Sequence, residues 1–285
     1  MKKGRVILNT VLSVVCVAAI AGAVFCSRQV KTIEEEYDAA AENVAQLTEK
    51  YASISRVEKK KPAQEAEQKT DDGANTGQVP ATPAPEAPVS DYKLMIDFDG
   101  LNRECAFGSV VGWLYCDGTQ INDPIAQCDD NNYYLHRLVN GEDNFSGTLY
   151  ADFRCEPNFR GQNTIVYGHN MANGSKFGEL VKYISDRNFL ATHPTMLLTT
   201  PEKDYLVQIF SAFATVSNNS RIWEAKFDTQ QAYQEHLTYL RNMNQMALTP
   251  DISVTTNDQI ITMVTCAYDT DHSRTIVCGK LVEIS

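Results

Sequence analysis

The sequence predicts a mainly β domain, a closed β-barrel with peripheral helices, carried behind an N-terminal transmembrane helix and a helical stalk. Three observations predict it. From about Tyr92 onward, short runs rich in Val, Ile, Thr and Tyr alternate with turn residues. One long amphipathic helical pattern interrupts them. Ahead of Tyr92 come a basic end, an apolar run, a heptad-spaced stretch and a Pro-rich stretch.

The N-terminal pieces set the organisation of the 285-residue chain. Lys2, Lys3 and Arg5 precede an apolar run over residues 6–26, broken only by Asn9, Thr10 and Ser13. At 1.5 Å per residue such a run covers about 30 Å, one hydrocarbon core. The basic flank places residues 1–27 as a cytoplasmic end plus anchor, with the remainder outside the cell membrane. The small residues Ala21, Gly22 and Ala23 also fit a signal-peptidase site, but the apolar run continues past them and exceeds an ordinary signal core.

Residues 28–58 are expected to be a helical stalk. Ile33, Tyr37, Ala40, Val44, Leu47, Tyr51 and Ile54 recur at alternating intervals of four and three. That seam fits either a coiled coil, giving a weak dimer, or a single solvated helix. Residues 59–91 hold Pro62, Pro80, Pro83, Pro85 and Pro88, half of the 10 prolines, and no aromatic residue before the boundary at Tyr92. Such a segment buries too little surface to offset its ordering entropy, so it is expected to be a disordered linker. On this reading residues 92–285 form the catalytic barrel alone, and residues 1–90 add nothing to its core.

Strands are expected over residues 110–115, 148–153, 163–169, 195–199, 205–216, 259–266 and 274–284. A helix is expected over 229–246, capped by Asp228, with Tyr233, Leu237, Leu240 and Met243 on one face. Residues 177–184 and 188–190 read as shorter helical pieces. The charge is acidic, 25 basic against 36 acidic residues, and residues 91–285 hold 14 and 24 of them. No basic surface for nucleic acid is expected. Eight cysteines occur without a CxxC pair, which leaves a zinc ribbon or thioredoxin motif unsupported. No metal or other cofactor is implied.

The chemistry gathers at strand ends. One strand delivers His169, another delivers Cys266, and Arg274 opens the last. A nucleophilic thiol needs a neighbour that manages its proton, and an imidazole does so near neutral pH. Acyl transfer also needs a donor for the developing oxyanion, a role open to a guanidinium. Taken alone, each residue has an ordinary structural reading. His272, Asp269 and Asp271 lie close to Arg274 in a polar turn. His136, His193 and His236 read as structural or exposed.

Five stretches decide between these readings: VVGWLYCDGTQINDPIAQ, DNNYYLHR, GTLYADFR, NTIVYGHNM with KFGEL soon after, and TMVTC followed by Arg eight residues later. In this order they resemble the sortases, and class B most of all, because a long helix lies between the strand ending at Val216 and the strand carrying Cys266. The resemblance runs from about Phe98 to the C-terminus. It implies a sortase-type barrel and a membrane-anchored cysteine transpeptidase on a Gram-positive cell surface. Cys266 is then the nucleophile, His169 the acid/base partner and Arg274 the oxyanion stabiliser. The implied partners are surface proteins bearing a C-terminal sorting signal, cut after Thr, and an amine of a peptidoglycan precursor or a pilin. Ile121, Arg221 and Ile222 fall where such enzymes hold the signal peptide. The chain has Met263 where the family often has Leu, which keeps an apolar side chain on the strand. A secreted Cys/His peptidase or peptidoglycan amidase and a non-catalytic, membrane-tethered binding module are the competing classes. The order of His169 before Cys266 is the reverse of the papain-like one.

Overall fold

The computed structural model describes residues 2–57, 92–266 and 273–284, with side chains described from residue 19 onward except at position 266. In chain order the elements are α1 (Lys2–Tyr51), β1 (Ala52–Arg56), β2 (Tyr92–Ile96), α2 (Phe98–Glu104), β3 (Ser109–Tyr115), β4 (Asn122–Gln127), β5 (Leu149–Ala151), β6 (Asn163–His169), α3 (Lys182–Ser185), α4 (Phe189–Thr192), β7 (Thr195–Thr199), β8 (Asp204–Val216), α5 (Gln230–Asn242), β9 (Gln259–Cys266) and β10 (Ser273–Ile284). Strands β3 to β10 close into a barrel in the order β10-β8-β7-β3-β4-β5-β6-β9. The expected closed barrel with peripheral helices is therefore the fold.

Strand alternation sorts the side chains into two packed layers. Val166 of β6, Ile261 and Met263 of β9, and Val277 of β10 join the barrel interior. Ile165 and Tyr167, Ile260 and Val264, and Ile276 and Cys278 face outward, under Tyr233, Leu237 and Leu240 of α5. Every residue of β6 is buried. This explains why 163–169 reads as an almost unbroken apolar run, as expected of a strand covered on both faces and paired in parallel with β9.

Helix α5 begins at Thr229, whose side chain accepts a hydrogen bond from the Ala232 amide at 3.1 Å, so Thr229 rather than Asp228 is the cap. Strand β4, which contains Pro124, was not among the expected strands. It pairs with β3 at Trp113↔Pro124 and meets β5 only from Ile125 onward, so the proline needs a ladder on one side only.

The stalk departs most from expectation. Helix α1 ends at Tyr51, and β1 then pairs antiparallel with β2, Arg56 opposite Tyr92 and Ala52 opposite Ile96. The two ends of the Pro-rich segment therefore lie side by side. The helix is thus joined to the domain by this pairing. The segment itself lies outside the described residues.

The heptad seam is occupied by this chain's own barrel. Leu47 and Tyr51 are buried in one cluster with Leu94, Leu101, Val110, Trp113, Leu197 and Leu206, and Ala40 is buried as well. Tyr37 meets the Phe145 ring edge-on at 5.0 Å. A Cβ on Gly100 would come within 2.3 Å of the Tyr51 ring, so the glycine permits that approach. The Tyr51 hydroxyl donates to Glu104 at 2.7 Å, and Lys50 pairs with the same carboxylate. A pairing of two molecules through this seam is thus not what its apolar residues serve. Ile33, beyond the docked part, is exposed.

No helix among the described residues is long and apolar enough to cross a membrane. The transmembrane expectation rests on residues 6–26, most of whose side chains lie outside the description. Ile20, Val24 and Phe25, at the end of that run, are exposed.

The docked helix changes the expected result of truncation. Removing residues 1–90 takes away Leu47, Tyr51 and β1 and uncovers Trp113 and Leu101, which are fully buried. Loss of a buried Leu alone costs about 2–5 kcal/mol, and each kcal/mol moves the midpoint of a domain this size by about 2–4 °C. A protein starting at residue 92 should melt at least about 5 °C below one starting at residue 28, as followed by circular dichroism. Coincident melting would show that the helix contributes nothing to the barrel.

Candidate active site

His169 ends β6 and Cys266 ends β9, and the two are register partners in the parallel ladder. Strand β10 runs antiparallel to β9 with Ile276 opposite Val264. Continuing that register by two residues brings Arg274 opposite position 266, and on its other side Arg274 pairs with Thr215 of β8. One rung of the barrel therefore carries His169, position 266 and Arg274 on three adjacent strands. All three positions are in phase with the outward-facing set. The sequence separates His169 from the other two by about a hundred residues, and the β6–β9 pairing removes that separation.

His169 is 2 % exposed. Burial pushes its imidazole down to about 3, and the nearby charges of His136, Lys176 and Arg274 act in the same direction. The shift favours the neutral ring, the form that can accept a thiol proton. Its backbone is fixed by close packing. A Cβ on the preceding Gly168 would meet Leu149 at 2.4 Å and Phe177 at 2.7 Å, so only glycine fits there. The loop after His169 turns back at once: the Phe177 amide donates to the His169 carbonyl at 2.9 Å.

Lys176 shapes that loop. It holds a left-handed backbone, φ 55°, which is uncommon for a side chain of its kind. Its ammonium forms an ion pair with Asp123 of β4 at 2.7 Å, and both side chains are 4 % exposed. Breaking such a buried pair by removing one partner typically costs about 3–5 kcal/mol. A second tie runs from the Gln120 amide to the Glu179 carboxylate at 2.7 Å. The loop bearing KFGEL is thus clamped to the β3–β4 turn.

Arg274 donates through Nη1 to the Thr265 carbonyl at 3.2 Å. Its Nε is buried and has no hydrogen-bond partner among the described residues. A buried guanidinium donor without a partner is costly unless a ligand supplies one. The adjacent Thr275 amide is held by the Thr265 hydroxyl at 2.9 Å. This fixes the start of β10 against the end of β9.

Three of the other described thiols are poor nucleophiles. Burial raises Cys116 and Cys278 to about 12 and Cys155 to about 11. Cys26, Cys105, Cys116, Cys128, Cys155 and Cys278 are all free thiols.

The proposed signal-peptide contacts fare differently from the rung. Ile121 is 1 % exposed and sealed in the barrel interior. Ile222 is 0 % exposed and packed beneath α5. Neither offers a side chain to a ligand in this structure. Arg221 is exposed, with its guanidinium 4.2 Å from the centre of the Tyr239 ring. The neighbouring Trp223 instead lies against β6: its ring is 5.8 Å from that of Tyr167, two residues before His169. Only the β8–α5 loop path makes that contact, so no local pattern announces it.

His136, read from sequence as structural or exposed, is exposed yet stands edge-on to His169, with ring centroids 5.5 Å apart. His193 stacks on Phe189 at 4.2 Å. His236 is buried under α5, where desolvation pushes it down to about 4 and keeps it neutral beside Glu224. His272, Asp269 and Asp271 lie outside the described residues.

Fold and rung together define a barrel enzyme with thiol, imidazole and guanidinium at one end. Comparison with known proteins narrows this. No family model matches the chain. The chain is 36% identical over 188 residues to Sortase B of Listeria monocytogenes, covering 65% of this chain and 73% of that protein. It is similar to a solved Staphylococcus aureus sortase B–substrate complex, with a TM-score of 0.61 and 29% identity over 66% of this chain and 85% of that one. It is similar as well to sortase B from B. anthracis, with a TM-score of 0.63 and 29% identity over 88% of this chain and 98% of that one. The chain belongs to the sortase B family. It is a cysteine transpeptidase that anchors surface proteins to the cell wall.

Proposed function

We propose that Cys266, His169 and Arg274 carry the transpeptidation. The thiol of Cys266 gives its proton to His169, and the sulfur attacks the carbonyl of the Thr in a C-terminal sorting signal. Arg274 binds the carbonyl oxygen through the guanidinium edge that carries Nε, which has no partner among the described residues, as negative charge develops there. The C–N bond breaks, His169 returns the proton to the leaving amine, and a thioester remains. An acceptor amine then attacks the thioester. A new amide forms, the C–S bond breaks, and the amine's proton passes through His169 back to the sulfur. The observation that supports this most is the shared rung of His169, position 266 and Arg274.

Residues 6–26 anchor the enzyme in the cell membrane, with the barrel outside. Docking of α1 begins near Glu36, whose backbone carbonyl accepts from Asn144 at 2.9 Å. About ten helical residues, or roughly 15 Å, then separate the anchor from the docked helix. The catalytic end stays close to the bilayer, where co-confinement with a membrane-tethered precursor raises the effective concentration of substrate.

The test is incubation of residues 28–285 with a small library of sorting-signal peptides and two amines, a cell-wall peptide and a pilin-derived Lys peptide. The expected product is a peptide cut after Thr and joined to one of the amines. Cleavage with water as the only acceptor would indicate a Cys/His peptidase instead.

A further inference from the structure

His136 lies in a loop between β4 and β5 that the catalytic roles above do not use. Although exposed, its ring is 5.5 Å from that of His169 in an edge-to-face arrangement. Its backbone is fixed. The His136 carbonyl accepts from the Asn144 amide at 3.0 Å, and the Tyr134 carbonyl accepts from Thr148 at the same distance. The Thr148 hydroxyl donates to the Arg137 carbonyl at 2.9 Å, and Arg137 pairs with Asp143 at 3.1 Å. Asn144 in turn donates through Nδ2 to the Glu36 carbonyl of α1, and the Phe145 amide donates to the Glu36 carboxylate at 3.0 Å. The N-terminal helix thus braces the loop that presents His136.

We propose that His136 is a positioning residue for His169, holding the catalytic ring edge-on and lending it a second, titratable charge. The proposal rests on His169 being the acid/base group. Two effects follow from the geometry. A ring at 5.5 Å restricts rotation of the His169 imidazole, which must point at the thiol for proton transfer. Positive charge on the His136 ring disfavours a proton on His169. The other charges around the pair are Lys176, matched by Asp123, Arg274 on β10, and Arg137, matched by Asp143.

Two variants separate the effects. His136→Phe keeps a ring and removes the charge. The acid limb of its kcat/KM profile is expected to move to higher pH, because a positive neighbour that disfavours a proton on His169 is gone. His136→Ala removes both, and its kcat is expected to fall about 10-fold with little change in KM, a loss that His136→Phe largely restores. The same shift is read without turnover by NMR titration of the His169 ring in Cys266→Ala protein, with and without His136→Phe. Superposed pH profiles and an unmoved His169 midpoint would overturn the role of His136. If His169→Ala remains active, the assignment of His169 falls instead, and the two failures are told apart.

Discussion

Cys266→Ala protein should show less than about 1% of wild-type cleavage and no transfer, while its circular dichroism and melting temperature stay unchanged. The size of the loss follows from the covalent route. Without the sulfur no thioester forms, and the acyl group has nothing on which to wait for the amine. The three buried thiols give no substitute. Cys116, Cys155 and Cys278 are buried, with their ionisation pushed up to between about 11 and 12, far from the thiolate needed for attack. Ala adds no bulk at the end of β9, where position 266 is paired with His169, so the barrel should be unaffected. The measurement is a peptide assay with and without an amine acceptor, plus trapping of the acyl-enzyme by mass spectrometry. Cleavage above about 1%, or a covalent adduct at another cysteine, would mean that a different thiol is the nucleophile.

Arg274→Lys should fail almost as badly as Arg274→Ala, each losing on the order of 100–1000-fold in turnover. One guanidinium nitrogen is already engaged with the Thr265 carbonyl, and Nε is left buried and unpartnered among the described residues. The planar fork lets one edge hold the strand while the other meets the substrate oxygen. Lys is a single charged point and cannot do both. The loss should fall on kcat more than on KM, because the interaction strengthens as the carbonyl oxygen acquires charge. Near-normal turnover by Arg274→Lys would show that a positive charge suffices and that the fork geometry has no role.

How much of this was legible depends on where each signal was stored. β6 and β9 were readable because both are covered on two faces, which writes β-branched and aromatic residues into nearly every position. The same parity placed His169, Cys266 and Arg274 in phase with the outward-facing residues. β4 was not readable, since Pro124 argues against a strand wherever both ladders are needed. β1 and β2 were not readable either. Each has five residues, and their pairing joins segments separated by the Pro-rich stretch. Trp223 meets Tyr167 and His136 meets His169 only through loop paths, which leave no periodic trace.

The sequence by itself determined the strongly periodic elements, the faces they bury and the three chemical groups of the rung. These are written locally, in the two-residue period of strands, the seven-residue period of the seam and the identity of Cys, His and Arg. The apolar seam of α1 required a cover but did not say whether that cover was a second molecule or the chain's own barrel. Only the tertiary structure decided this, by seating Leu47 and Tyr51 against Leu101 and Trp113. It also decided that Ile121 and Ile222 are enclosed, that His136 stands against His169, and that Lys176 and Asp123 clamp the loop behind it. The physical reason is common to all of them. Burial and pairing between distant segments depend on which surfaces meet when the barrel closes, and no single segment carries that information.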